Sequence, residues 1–315
     1  MITAVTPNPS VDRAVSVGEL DRGQVLRATS SRVDPGGKGV NVGRAVAAMG
    51  GDPLVVVPSG GPEGALFEAL LAQTDVAASV VEVAGSVRMN ISVLEPDGTT
   101  TKLNEPGPDL SEAEVNALMA ATLERATPGS WVAGCGSLPP GAPADLYAQL
   151  VREAVARGAS VAIDSSGTPM TEAVSARPTL IKPNREELAE LTGRRLDTLG
   201  AVIDTARELV NGGVAYVAVS LGRDGAVLVT ASDVSHARAI VTDPVSTVGA
   251  GDCMLAGLLF GLDSGLEPAE ALQQGVSWGA AAVRLPGTEV PTPADLDGID
   301  VAFTRSPDRD MPLDD

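Results

Sequence analysis

Short apolar runs that end in Gly, Pro, Asn or Ser alternate along this chain with amphipathic stretches, and no other feature restricts its fold as much. Residues 2–6, 54–58, 131–133, 160–163, 179–181 and 215–220 are nearly continuously apolar, the mark of strands buried on both faces. Between them, 40–49, 111–125, 143–157, 184–192 and 198–211 carry helical periodicity, and Ser111 precedes Glu114 at capping-box spacing. Strand–helix alternation of this kind predicts right-handed βαβ units, hence a mostly parallel central sheet with helices on both faces. Composition agrees: hydrophobic residues make up 44% but aromatics only 2%. Ala, Val, Leu and Ile must therefore build the core, which suits buried parallel strands better than an aromatic-dependent β-sandwich. A chain of 315 residues with that apolar fraction can form one sizeable α/β core.

Two segments break the rhythm. Residues of about 12–34 and about 86–106 alternate like strands with no long helix between, and Glu95-Pro96-Asp97-Gly98 is a turn signal. They are expected to form a small β lid on a single domain spanning 1–300. The Asp-, Pro- and Arg-rich residues 301–315 are expected to fray.

The net charge of −19 excludes a nucleic-acid-binding class, which needs a basic footprint. An acidic protein that handles anions must gather its few cations where the anion sits. Lys38, Lys102 and Lys182 are the only lysines, and each lies in a loop-like motif; solvated surface positions are the competing account. Cys135 and Cys253 lack metal-site spacing and read as reduced, buried thiols. With no leader-like start and no run of membrane-spanning length, a cytoplasmic protein with no membrane partner is expected.

Ligands of doubly wound sheets bind beyond the carboxyl ends of the strands. There the chain places polar, Gly-rich loops: Thr6–Asp12, Gly134–Pro139, Asp164–Gly167, Lys182–Glu187 and Ser220–Gly225. The sharpest is Ser246-Thr247-Val248-Gly249-Ala250-Gly251-Asp252, just before an apolar helix. Small residues there let backbone N–H groups converge with the helix dipole on a phosphoryl group, and Asp252 could take a proton from an attacking hydroxyl. Tight helix–sheet packing explains the same glycines. A second cluster, Pro35-Gly36-Gly37-Lys38-Gly39-Val40-Asn41, lacks the Gly and Ser/Thr of a Walker A loop. It offers close backbone approach and an amide that suits sugar hydroxyls, or else a structural turn.

Together these motifs resemble the ribokinase-like carbohydrate kinases of the phosphofructokinase-B type, over nearly the whole chain. Residues 35–46 and 246–257 look like that family's two signatures, and Asn184-x-x-Glu187 like its third motif. The resemblance implies a ribokinase-like three-layer α/β sandwich with a β lid. It implies Asp252 as catalytic base, with Gly249, Ala250 and Gly251 as the anion hole. Asp12, Gly36, Gly37, Asn41 and Ser137 would bind the sugar. Asn184 and Glu187 would position Mg²⁺ through water. Ser220, Gly222 and Gly225 would lie along the ATP phosphates with Asn184, and Gly279 near the adenine. Trp278, a bulky departure, would stand close to that base pocket. Arg27, Lys38, Arg88, Asn90 and Lys102 fall in the Gly-Gly-Lys-Gly loop or the lid and are candidate ligands of a phosphate already on the sugar. Because Arg88 and Asn90 alternate, they share one strand face. The implied reaction is ATP-dependent phosphorylation of a ketohexose monophosphate, fructose 1-phosphate before tagatose 6-phosphate or fructose 6-phosphate. A non-catalytic sugar-phosphate sensor is the reading from another class, and a homodimer through the lid is the expected assembly.

Overall fold

The computed structural model describes residues 1–313. Its central sheet is built from β1 (Ile2–Val5), β4 (Pro53–Ser59), β5 (Ala77–Glu82), β8 (Trp131–Cys135), β9 (Ser160–Asp164), β10 (Leu180–Ile181) and β11 (Tyr216–Ser220). These seven run parallel. β12 (Ala226–Val229), β13 (Val234–Ala239) and β14 (Val301–Thr304) extend the edge beyond β11 as an antiparallel meander. The order across the described residues is β14-β13-β12-β11-β10-β9-β8-β1-β4-β5. The strands anticipated at 2–6, 54–58, 131–133, 160–163, 179–181 and 215–220 are all present, and β4 is buried along its full length.

Alternation within the strands gives the sheet two different faces. Val5, Val56, Val132, Val161, Ile163, Ile181, Val217 and Val219 point to one side. There they meet α3 (Glu112–Leu123), α4 (Leu146–Ala156), α5 (Gly167–Ser175), α6 (Arg185–Thr192) and α7 (Leu199–Asn211). Ala4, Ala133, Ala162, Ala218, Ala226 and Ala237 point to the other, under α1 (Lys38–Ala48), α8 (Ala250–Asp263) and α9 (Pro268–Val283). Few methyl groups stand between α8 and the sheet, so the helix settles deep and buries most of its residues. Burying Leu255, Leu258 and Leu259 stabilises that contact by about 2 kcal/mol each. The helices α8 and α9 approach so closely that a Cβ on Gly257 would lie 2.9 Å from the Gly275 backbone. Trp278 turns into this core and stacks, tilted, on Phe260 at 5.6 Å.

The lid is a separate sheet of β2 (Ser10–Ser16), β3 (Ser30–Gly36), β6 (Arg88–Leu94) and β7 (Thr100–Asn104), ordered β3-β2-β6-β7. Its register puts Asp12 opposite both Asn90 and Asp34. The even-numbered residues Ser10, Asp12, Asp34, Arg88, Asn90 and Lys102 therefore share one polar face. Val15, Val33, Ile91, Val93 and Leu103 share the other. The remaining helix, α2 (Gly61–Leu71), covers β4 beside the lid, with Phe67 fully buried.

The C-terminal segment does not fray. After β14 the chain crosses α7: the Leu199 amide donates to the Met311 carbonyl at 3.0 Å and the Gly200 amide to Arg309 at 2.8 Å. Leu313 is buried in the Val-rich core. Two apolar side chains and a bridge between Thr198 and Pro312 outweigh the charged composition that predicted fraying. Residues 314–315 of the predicted tail lie outside the described residues.

Candidate active site

Beyond the carboxyl ends of β9 and β10, Asp164, Lys182 and Asn41 of α1 gather around the first turn of α8. Gly249 caps that helix with φ +79°, a left-handed conformation that a side chain would strain. The amides of Gly249, Gly251 and Asp252 find no backbone partner among the described residues, and the Ala250 amide reaches only the Thr247 carbonyl at 3.4 Å. Such first-turn amides, unspent and aligned with the helix dipole, form a cup for an anion. Asp252 stands in that turn, 8% exposed, and accepts a hydrogen bond at 2.8 Å from Asn41 Nδ2 on α1. Burial, and next the negative charge of Asp164, push its carboxyl up to about 6; Lys38, Asn41 and Lys182 pull against that. A buried carboxylate tuned toward neutrality is what a proton acceptor for an alcohol needs.

Beneath it lies a charged cluster that the sequence reading grouped only as loops. Asp164, fully buried at the end of β9, accepts from Lys38 Nζ at 2.6 Å and pairs with Lys182 Nζ at 3.0 Å. Lys182 is itself 3% exposed, and its ammonium lies 3.5 Å from where a Cβ on Gly251 would stand, at the rim of the amide cup. The paired lysines hold the Asp164 carboxyl below its ordinary range despite its burial. Sequence named Lys182 only as one of three lysines in loop-like motifs and Asp164 only within a polar loop, and did not tie the two together. The available signal was an Asp-Ser-Ser-Gly loop and a Lys-Pro-Asn run, each closing a predicted strand.

The metal motif flanks this cluster. Asn184 caps α6, accepting from the Glu187 amide through its Oδ1 at 2.7 Å, while Glu187 Oε2 accepts from the Asn184 amide at 2.9 Å. The Asn184 side-chain oxygen thus serves the helix, and Glu187 Oε1 is the oxygen turned to the site, 3.7 Å from Lys38 Nζ. No group of three His, Cys, Asp or Glu that could hold a metal occurs among the described residues. One outward carboxylate oxygen beside a phosphate cup fits a hydrated Mg²⁺ carried largely by phosphates, and does not fit an all-protein cage. Ser220 pairs with Asn184 in a parallel bridge. Gly222 lies in a short 3₁₀ turn with open space on its Cβ side, and Gly225 closes that turn against Ala237. Gly279 packs against the first turn of α8, where an added Cβ would stand 3.1 Å from the Ala250 carbonyl.

From the lid, Asp12 accepts from Ser10 Oγ at 2.6 Å and Asn90 Nδ2 at 3.0 Å, and burial raises its pKa. A Cβ on Gly36 would stand 2.2 Å from Asp12 Oδ2, so only glycine lets β3 pass the carboxylate. Gly37 follows as the N-cap of α1. Arg88 lines a recess of about 470 Å³ with Asn8, Ser137, Pro139 and Pro169, and its guanidinium donates to the Asn8 and Glu105 carbonyls. Asn8 Nδ2 reaches Ser137 Oγ at 3.4 Å. Another cavity of about 480 Å³, around Tyr216 and Arg305 at the amino end of β11, contains none of these groups.

The predicted phosphate ligands therefore divide. Arg88 and Asn90 sit together at the lid–core junction. Lys102 shares their face but projects from β7 into solvent, and Arg27 lies on an exposed loop; the structure brings neither to the recess. Lys38 turns away from the lid, toward Asp164 and Glu187.

Comparison with known proteins agrees with this geometry. Residues 6–295 match the pfkB family carbohydrate kinase profile. The chain is 38% identical over 297 residues to a 1-phosphofructokinase of Rhodobacter capsulatus, covering 94% of each protein. It is 35% identical over 295 residues to the ATP-dependent 6-phosphofructokinase isozyme 2 of Escherichia coli, covering 92% of this chain and 94% of that one. The crystal structure of Escherichia coli phosphofructokinase-2 in complex with substrates and products superposes with a TM-score of 0.90 at 34% identity, over 95% of this chain and 97% of that one. Amide cup, buried carboxylate and lid thus occur in a chain that belongs to the pfkB family of carbohydrate kinases.

Proposed function

We propose that this kinase transfers the γ-phosphoryl group of ATP to the free primary hydroxyl of fructose 1-phosphate, giving fructose 1,6-bisphosphate. The observation that carries the reading is the buried Asp252 carboxylate, held by Asn41 beside unspent amides of its own helix. The hydroxyl oxygen attacks the γ-phosphorus while Asp252 accepts its proton, and Gly249, Ala250 and Gly251 face the charge that gathers on the phosphoryl oxygens. Asp12 and Asn90 hold sugar hydroxyls. Arg88, with Ser137 and Asn8, receives the phosphate already present, and its guanidinium exchanges two carbonyl partners for a stronger charged one. The lid keeps water from the cup, so ATP is not hydrolysed. Glu187, and Asn184 through water, would hold Mg²⁺, which would neutralise the ATP phosphates when bound.

Several relatives bear the name 1-phosphofructokinase, which favours fructose 1-phosphate. The 6-phosphofructokinase isozyme 2 relatives keep fructose 6-phosphate as the second substrate to test. The lid face of Val15, Ile91, Val93 and Leu103, with Leu103 60% exposed, supports pairing of two lids in a homodimer. ADP release measured with fructose 1-phosphate, fructose 6-phosphate and tagatose 6-phosphate side by side tests the assignment. The highest kcat/KM belongs to fructose 1-phosphate; a lead for either 6-phosphate refutes it, and no release with any of them refutes the kinase.

A further inference from the structure

Arg44 is a cation that folding alone gives no reason to keep. It stands on α1 one turn after Asn41, half-buried, with the segment around Thr288 beside it. Burial pushes its pKa down, and no ion pair among the described residues offsets that cost. The two acids whose charge it feels, Asp34 and Glu289, are both already paired with Arg32 of the lid. Its Nη1 donates to the Thr288 carbonyl at 3.2 Å and to Asn41 Oδ1 at 3.4 Å.

The bond to Asn41 governs which way that amide faces. The oxygen and nitrogen of an amide are nearly equal in size, so partners and not shape fix its orientation. Asn41 Nδ2 donates to Asp252 Oδ2 at 2.8 Å, which favours the ionised base and pulls its pKa down against burial. Once Asp252 has taken the proton of the alcohol it becomes a donor, and a turned-over amide would offer it Oδ1 instead. The proton would then be retained and the base would not reset. A guanidinium has no acceptor atom, so Arg44 admits only Oδ1 on its side at both stages. The amide stands at the rim of the cup, where a Cβ on Gly249 would lie 3.9 Å from Asn41 Nδ2.

We propose that Arg44 is a positioning residue, which locks the Asn41 amide with its N–H toward Asp252 and so keeps the base ready to accept a proton. No hydrogen bond or ion pair joins Arg44 to Asp252; it acts through Asn41. This rests on the kinase reading above.

Arg44→Met, which keeps an apolar stem, tests it. Turnover at saturating fructose 1-phosphate and ATP should fall about 10–100-fold, the worth of one hydrogen bond to a charged group. KM for ATP should stay within about twofold, and thermal melting should not drop, because the variant loses a buried cation that has no paired acid. A double-mutant cycle with Asn41→Ala locates the effect: without that amide, Arg44→Met should change turnover by less than about twofold. Arg44→Gln separates orientation from charge. A Gln three positions after an Asn can still donate to it along a helix, so this neutral variant should recover most of the loss. If Arg44→Met does not fold, Arg44→Gln carries the same cycle, and any turnover it loses must vanish in the Asn41→Ala background. Equal losses with and without the Asn41 side chain would overturn the proposal and place the effect in the Thr288 segment. Recovery by Arg44→Lys but not by Arg44→Gln would overturn it too, since charge alone would then matter. Lowered melting with turnover retained would make Arg44 a structural tie. An active wild type beside an unimpaired Arg44→Met sinks this inference alone, whereas a wild type that releases no ADP removes the kinase reading as well.

Discussion

Replacing Asp252 by Asn should weaken the catalyst and strengthen the fold, with a gain that depends on pH. Three carboxylates, Asp164, Glu187 and Asp252, gather around two lysines, Lys38 and Lys182. The unmatched charge falls on Asp252. In the folded chain its carboxyl titrates at about 6, against 3.8 when free. At about 1.4 kcal/mol for each tenfold, that gap amounts to about 3 kcal/mol of folding stability forgone once the group is ionised. The sign follows from the direction of the shift. Below pH 3.8 the group is protonated in both states and costs nothing. As pH rises toward about 6 the unfolded chain ionises while the folded site resists, so wild-type stability declines, and above that the loss is complete. Asparagine carries no charge, and its Oδ1 can still accept from Asn41 Nδ2. Urea unfolding at pH 4.5, 6 and 8 should show the variant's advantage growing toward about 3 kcal/mol, with turnover at pH 8 lowered about 10²–10⁴-fold and a smaller deficit at pH 4.5, where the wild-type base is itself protonated. Equal pH dependence of the two proteins, or a variant less stable at pH 8, would refute the reasoning.

Arg88→Ala should raise KM for fructose 1-phosphate by about tenfold or more with KM for ATP little changed; equal effects on both would remove the anchor role. Gly36→Ala should cost most of the sugar affinity and leave nucleotide affinity intact, because the new methyl would displace the Asp12 carboxylate that stands 2.2 Å from it; calorimetry with each ligand decides. Leu313→Ala should lower stability by about 2 kcal/mol in denaturant titration, since a docked tail leaves a cavity where a frayed one would leave no trace.

Strand positions were legible because parallel strands buried on both faces cannot hide polar residues: 160–163 and 215–220 could be read directly. Asp252 and Asn41 were legible too, each beside a glycine run that opens a helix. What sequence concealed is pairing across distance. Nothing local ties Lys38 to Asp164, 126 positions on, so their ion pair could not be read. That the Asn184 side chain caps α6 was not read, because capping and coordination use the same amide. The contact of Trp278 with Phe260 was not read, because helical periodicity does not say which neighbour each face meets. The antiparallel β12–β14 edge was missed for a similar reason: β12 and β14, four residues each, offer too few positions for alternation to show.

The alanine side of the sheet has a practical consequence for anyone engineering this enzyme. Adding methylenes there, at Ala133 or Ala218 for instance, would lift α8 as a rigid rod and carry its first turn away from the incoming alcohol. The same substitution on the opposite, valine side, kept clear of α6 and its Glu187, would press on α4 or α7, which hold no reacting group. Thermostabilising libraries belong on that second side, and sequence drift on the first should be narrow even at positions far from any ligand.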